Sequence, residues 1–233
     1  MHNKLLALLK ANAGERSPDR FRVENKDGTT HIYVYDVIDA WFGVSAESVV
    51  KALSGAGDVA LHINSPGGDV FEGTAIASAI ASHKGKVTAY IDGVAASAAT
   101  RVALAASEVR MAESSLFMIH NSWTMALGNK DELRATADLL EKVDATINAD
   151  YAKKTGKSTE EIASLMAAET WFTAQEALDA KFIDAIDSGT QAKAMAWNLS
   201  AYSNAPKPTE QPNNSIEAHR LLNERRLQLL MLT

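Results

Sequence analysis

From Thr30 onward the apolar residues of this chain fall into alternating strand-like and helix-like runs. HIYVYDV (31–37), DVALHIN (58–64) and KVTAYID (86–92) are short and rich in β-branched and aromatic residues, as half-buried or buried strands are. Between them SAESVVKAL (45–53) and FEGTAIASAIASH (71–83) read as helices. Strand, helix and strand in succession require crossover connections, so the pattern predicts an α/β fold with a largely parallel sheet. Three helix starts carry an oxygen-bearing cap followed by Glu three residues later: Asp69 with Glu72, Ser158 with Glu161, and Thr173 with Glu176. From Asn129 to Thr155 a longer pattern places Leu133, Ala137, Leu140, Ile147 and Tyr151 at helical spacing with charges on the other faces. A helix of that length either projects from the globule or packs against a partner.

The two ends differ from this middle. Residues 11–29 are polar and rich in turn formers, so residues 1–29 are expected to be a flexible lead-in and residues 30–187 the ordered domain. After Ile186 the chain becomes polar and carries three of its five prolines, which predicts a linker over 188–214. Residues 215–233 read as a terminal amphipathic helix whose Leu221, Leu222, Leu227, Leu229 and Leu230 either serve docking or self-association or fold back on the domain. The LLALL run at 5–9 is cut short by Lys10, too early for a signal peptide, and no run approaches the roughly 20 apolar residues of a bilayer span. No membrane association is expected.

Composition narrows the chemistry. The 233 residues suffice for one substantial core, and 23 basic against 29 acidic residues, without a basic stripe, argue against nucleic acid as a partner. The absence of cysteine excludes disulfides, thiolate zinc sites and a cysteine nucleophile, and agrees with a reducing cytoplasm. Any covalent nucleophile is therefore Ser, Thr, Lys or a carboxylate. Neither metal nor cofactor is expected.

Three segments carry candidate chemistry. INSPGGDV (63–70) ends a strand: Pro66 stiffens the turn, Gly67 and Gly68 allow positive φ and close approach to their amides, and Asp69 opens a helix. One strand later, Gly93-Val-Ala-Ala-Ser97-Ala-Ala-Thr100 puts a serine at a strand-to-helix junction among small neighbours, either an exposed nucleophile or a tolerated residue in tight packing. The strand Leu116-Phe-Met-Ile-His120 then ends in a candidate general base, which only tertiary folding can bring to the serine. His2 and His219 lie in the ends, and His31, His62 and His83 read as surface or internally satisfied residues.

In this order and at these separations INSPGG, G-x-A-A-S-A and MIH resemble the proteolytic subunit of the Clp protease, peptidase family S14. More closely still they resemble the Clp-like head maturation (prohead) proteases of tailed phages and prophages. The resemblance spans roughly residues 30–187. It implies a crotonase-like spiral of ββα units with a protruding handle helix, and a serine endopeptidase with a Ser-His-acid triad. Ser97 matches the nucleophile, His120 the base, and the Gly68 and Ala98 amides the oxyanion hole. Glu169, in AETWFTA, stands where the family usually has Asp, and Asp150 and Asp184 remain alternatives outside the matching position. Substrate is expected as an added strand between Gly67, Asp69, Val70 and Phe71 on one side and Asn121, Ser122 and Trp123 on the other.

The implied partners are a polypeptide substrate, namely scaffold or capsid protein, and further copies of the chain joined through the handle helix. Trp41-Phe42-Gly43, MIHNSW, ETWFTA and the C-terminal tail favour head maturation, in a bacterial host cytoplasm or inside a procapsid. A degradative subunit working with a separate ATP-dependent unfoldase is the alternative, since the chain has no nucleotide-binding motif of its own. A crotonase-like acyl-thioester binder or a silent assembly protein is the third reading.

Overall fold

The computed structural model describes residues 20–188 and 197–206. In chain order the elements are β1 (Phe21–Lys26), β2 (Thr29–Val34), α1 (Ala46–Leu53), β3 (Val59–Ser65), α2 (Val70–Ala81), β4 (Val87–Ala96) and α3 (Ala98–Leu104). There follow β5 (Glu108–Ala112), β6 (Leu116–Ile119), α4 (Lys130–Thr155), α5 (Thr159–Ala167), β7 (Thr170–Thr173), α6 (Ala174–Asp179) and β8 (Ala185–Asp187). The sheet runs β1-β2-β3-β4-β5-β8, parallel except for the β1/β2 hairpin, so the expected α/β architecture is present. Ile32, Ile63, Ile76, Ile91 and Val102 centre the main core between sheet and helices.

Strand β4 is where the sheet forks. Its first half pairs with β5, while Val94, Ala95 and Ala96 pair with β6, and β6 in turn pairs antiparallel with β7. The change of partner coincides with a register shift between β3 and β4, where Ile63 faces Ile91 but Ser65 faces Ala95. Asn64 fills the irregularity, its Oδ1 accepting from Val94 N at 3.2 Å. A side chain at Gly93 would put Cβ 2.7 Å from that same oxygen. The fork therefore needs glycine, and it leaves the end of β4 to deliver Ser97 onto β6.

Cap chemistry sets the helix ends. Ser158 with Glu161 and Thr173 with Glu176 form the expected reciprocal boxes, as does Asn129 with Glu132 at the start of α4. At α2 only half of the expected box forms: Asp69 accepts from Phe71 N and Glu72 N, but the Glu72 carboxylate instead takes the Ala46 amide at 2.6 Å. It thereby ties the start of α1 to α2, a tertiary use that local spacing does not announce. Helix α4 runs for 26 residues to an αL cap at Gly156. Its first half is mostly exposed, and its second half buries Ile147, Tyr151 and Thr155.

Two expectations about the ends change. Residues 21–26, assigned to the lead-in, are a strand: Phe21 and Val23 alternate with Arg22 and Glu24, and Asp27-Gly28 turns the hairpin at positive φ. A thin edge strand with most of one face in water looks polar in sequence. Residues 197–206, assigned to the linker, pack on the side of β4 and β6 away from the main core, where Tyr202 joins Val37, Val94, Ala96 and Met118. The predicted terminal helix, 215–233, lies outside the described residues, as do residues 1–19.

Tyr151 connects α4 to α3, its hydroxyl 2.5 Å from Thr100 Oγ1, which also donates to the Ser97 carbonyl at 2.6 Å. Burial pushes the Tyr151 phenol up from 10.0 to about 12, against a smaller opposing pull from Thr100. The unfolded phenol ionises first, so this contribution to stability is intact below pH 10 and is lost as pH rises towards about 12. Chemical denaturation of Tyr151→Phe between pH 9.5 and 12, an approximate window around that titration, is expected to show a shallower loss of stability with pH than wild type. The difference should be at most about 1.4 kcal/mol per pH unit, and identical slopes would show that this phenol does not titrate with unfolding.

Candidate active site

Ser97 follows the last residue of β4 and caps α3 with φ 55° and ψ −124°, a backbone region that L-residues seldom enter. Its amide is spent on the sheet, donating to Met118 O at 2.9 Å. The side chain is thereby turned out of the junction. The strand-to-helix elbow anticipated around this serine is present.

The facing wall is the diglycine turn. Gly67 sits at φ +89°, and a Cβ there would come within 2.5 Å of Ala96 O and 2.8 Å of Ser97 Cβ. Gly68, at φ +150°, would collide with Ile38 O at 2.1 Å. Ile38 brackets the turn from behind, donating to Gly67 O at 2.9 Å and accepting from Asp69 N at 2.8 Å. Gly68 N and Ala98 N have no acceptor among the described residues. Ala98 opens α3, whose first-turn amides cannot bond within the helix.

His120 immediately follows β6, the strand paired with the last residues of β4, and its Nε2 lies 2.7 Å from Ser97 Oγ. In that geometry the hydroxyl can donate to the imidazole. Residues 23 apart in sequence meet because β4 forks to reach β6. Strand β7 pairs antiparallel with β6, Met118 with Trp171 and Ile119 with Thr170, so the residues just beyond that pairing are His120 on one strand and Glu169 on the other. Glu169 is buried, at positive φ (48°), and accepts from Ser203 N at 3.0 Å and Asn204 N at 2.6 Å. The alternatives are committed elsewhere: Asp150 pairs with Arg101, and Asp184 with Lys154 and Val109 N.

A cleft of about 620 Å³ opens in front of Ser97 and His120. Gly68, Asp69, Val70 and Phe71 form one bank and Ser122 and Trp123 the other, with apolar side chains of α4, among them Leu139, Leu140 and Val143, behind. Of the expected substrate-binding residues, Gly67 and Asn121 do not line it: Gly67 lies behind the elbow, and Asn121 N is tied to Met166 O. Asp69 lines the cleft, yet its carboxylate caps α2. The sequence reading missed Thr124–Leu127 and the α4 residues as lining, because a loop and a helix declare no shared wall until they are folded together. It also missed Tyr202, whose ring meets His120 edge-on at 5.5 Å and whose hydroxyl donates to Pro66 O. The aromatic residues Trp197 and Tyr202 inside an otherwise polar tail were the available signal.

Among the described residues, the other histidines are satisfied by partners in the fold; His2 and His219 lie outside the described residues. His62 is bonded to Asp92 and His31, and His83 donates to Gly57 O at 2.7 Å. Among the described residues no cluster of His, Cys, Asp and Glu could hold a metal ion, and no helix is long and apolar enough to cross a membrane.

The profile of the Clp protease family matches residues 44–189. The ATP-dependent Clp protease proteolytic subunit of Streptococcus agalactiae serotype V is 32% identical over 133 residues, 55% of this chain and 68% of that protein. The ATP-dependent Clp protease proteolytic subunit 2 of Treponema denticola is 31% identical over 140 residues, 59% of this chain and 70% of its own length. Among solved structures, a point mutant of ClpP1 from Listeria monocytogenes superposes with a TM-score of 0.60 at 28% identity, covering 68% of this chain and 90% of that one.

The close approach at Gly67 generates a test. Gly67→Ala is expected to displace the elbow and abolish labelling of the protein by a serine-directed fluorophosphonate. Gly57→Ala, whose added Cβ meets nothing within 4 Å, should label like wild type. Equal labelling of both variants would mean that the turn does not set the serine's position.

Proposed function

The chain belongs to the Clp protease family, a family of serine peptidases, and on that footing we propose that Ser97, His120 and Glu169 are its catalytic triad and the Gly68 and Ala98 amides its oxyanion hole. One observation carries the reading: the 2.7 Å approach of Ser97 Oγ to His120 Nε2, beside two amides with no acceptor of their own among the described residues. Ser97 Oγ attacks the scissile carbonyl carbon while its proton passes to His120 Nε2. The carbonyl electron pair moves to the oxygen, where each amide donor is worth about 3 kcal/mol in comparable sites. Collapse of the intermediate breaks the C–N bond, and His120 returns the proton to the leaving amine. Water, deprotonated by the same imidazole, then releases the acyl group from Ser97. Glu169 stabilises the imidazolium and fixes its orientation, for which a carboxylate one methylene longer than Asp suffices.

The substrate is a polypeptide in extended form, held along the Gly68–Phe71 bank, with apolar side chains favoured by Val70, Leu139, Leu140 and Val143. Assembly with further copies uses α4, whose Leu133 and Leu139 are 44% and 50% exposed on the handle.

For the biological role we propose head maturation, the cleavage of scaffold or capsid segments during procapsid assembly. Support comes from Trp41-Phe42-Gly43, ETWFTA and a chain that continues past the family match at residue 189. A second reading, degradation with a separate unfoldase, is favoured by the ATP-dependent proteolytic subunits among its relatives. The two separate on substrate. Under the first, co-expression with the neighbouring capsid genes yields discrete cleavage products by mass spectrometry, without an ATPase. Under the second, folded substrate is consumed only when an unfoldase and ATP are added.

For the chemistry itself, Ser97→Ala and His120→Ala are each expected to lower hydrolysis of a fluorogenic peptide by about 10⁴-fold or more with an unchanged circular dichroism spectrum. Fluorophosphonate labelling should disappear in Ser97→Ala. Labelling that persists in that variant would place the nucleophile elsewhere.

A further inference from the structure

Residues 197–206 lie beyond the family match, yet they contact Asn64, Pro66, His120 and Glu169 around the site. Trp197 Nε1 donates to Asn64 Oδ1 at 3.0 Å, the oxygen that also fills the fork between β3 and β4. The buried Tyr202 hydroxyl donates to the carbonyl of Pro66, immediately before the diglycine turn. Its ring stands edge-on to His120 at 5.5 Å and to Trp171 at 5.7 Å. The next two amides, of Ser203 and Asn204, both donate to the Glu169 carboxylate, while Asn204 Nδ2 donates to Ala168 O at 2.8 Å.

None of residues 197–206 lines the substrate cleft. The segment is thus a strap across the back of the site, and the 2.7 Å contact between Ser97 and His120 is made with the strap in place. An occluding segment would occupy the cleft or break that contact. We infer that residues 197–206 are a positioning strap, with Tyr202 as the positioning residue that holds the oxyanion turn through Pro66 and the base through the His120 ring.

Burial pushes the Tyr202 phenol up, opposed by the nearby Ser97 side chain and reinforced by the charge of Glu169, so the phenol stays a neutral donor throughout the working range of a serine hydrolase. Glu169 is in turn held in place by two backbone amides of the same segment. The strap therefore acts on geometry that matters more in the transition state than in substrate binding, which assigns its effect to kcat.

This inference rests on Ser97 and His120 being the reacting pair, and the test separates the two. In the full-length chain, Tyr202→Phe keeps the ring contacts and loses the bond to Pro66; kcat for a fluorogenic peptide should fall about 3- to 10-fold. Tyr202→Ala loses both and should fall about 10- to 100-fold. KM should stay within about twofold in each, because the strap does not line the cleft. Melting temperatures measured alongside show whether each variant is folded at the assay temperature; if Tyr202→Ala is not, Tyr202→Phe alone decides. Values of kcat within about twofold of wild type, or a loss confined to KM, would overturn the strap while leaving the site assignment standing. An inactive and unlabelled wild-type protein would instead remove the site assignment, and the strap with it.

Discussion

Ser97 holds φ 55° and ψ −124°, where an L-residue's own Cβ crowds its backbone at a cost of about 1–3 kcal/mol. Three neighbours keep it there. Met118 O accepts its amide, Thr100 takes its carbonyl, and the bare Cα of Gly67 fits against its Cβ. Each belongs to a different piece of the fold: strand β6, helix α3 and the turn after β3. The elbow is therefore the point on which the fork of β4, the bulge at Asn64 and the Ile38 bracket converge. A relaxed backbone at Ser97 would release all of them and aim the hydroxyl elsewhere.

Around that elbow the molecule has a working side and a supporting side. On the working side the cleft is walled by the two polypeptide banks and by α4, which is itself coupled to α3 through Tyr151 and Thr100. Ser122 N bonds Asp144 of the same helix at 2.6 Å, so the bank after His120 and the handle are joined. Movement of α4 on assembly would consequently reach the cleft through two hydrogen-bonded links. On the supporting side the strap closes over β4 and β6 with a smaller apolar cluster, and its polar atoms meet Asn64, Pro66 and Glu169.

Much of this was legible because local chemistry and tertiary role coincide. Glycine at 67 and 68 is demanded by positive φ, the small residues around Ser97 by the crowded elbow, and the apolar run Leu116–Ile119 before His120 by a strand buried on both faces. Helix α4 was legible from its apolar spacing, while its capping box at Asn129 and Glu132 and its stop at Gly156 went unread. What stayed hidden depends on distant partners. Glu72 looks like a capping residue for α2 and instead serves Ala46, 26 positions away in the chain. The strand at 21–26 is an edge with little apolar content, and residues 197–206 sit within a polar, proline-bearing tail in which only Trp197, Leu199 and Tyr202 hint at burial, with nothing local to say against what. Tyr202 reaches Pro66 across 136 positions, a contact that no local pattern encodes.

The central claim is spatial: one serine oxygen, one imidazole and two backbone amides share a point. A crystal structure of the protein after reaction with a peptidyl phosphonate tests it most directly. The account predicts phosphorus bonded to Ser97 Oγ, a phosphonyl oxygen within about 3.1 Å of both Gly68 N and Ala98 N, and the peptide running along the Gly68–Phe71 bank. An adduct on another residue, or on Ser97 with its oxygen turned to solvent away from both amides, would contradict it.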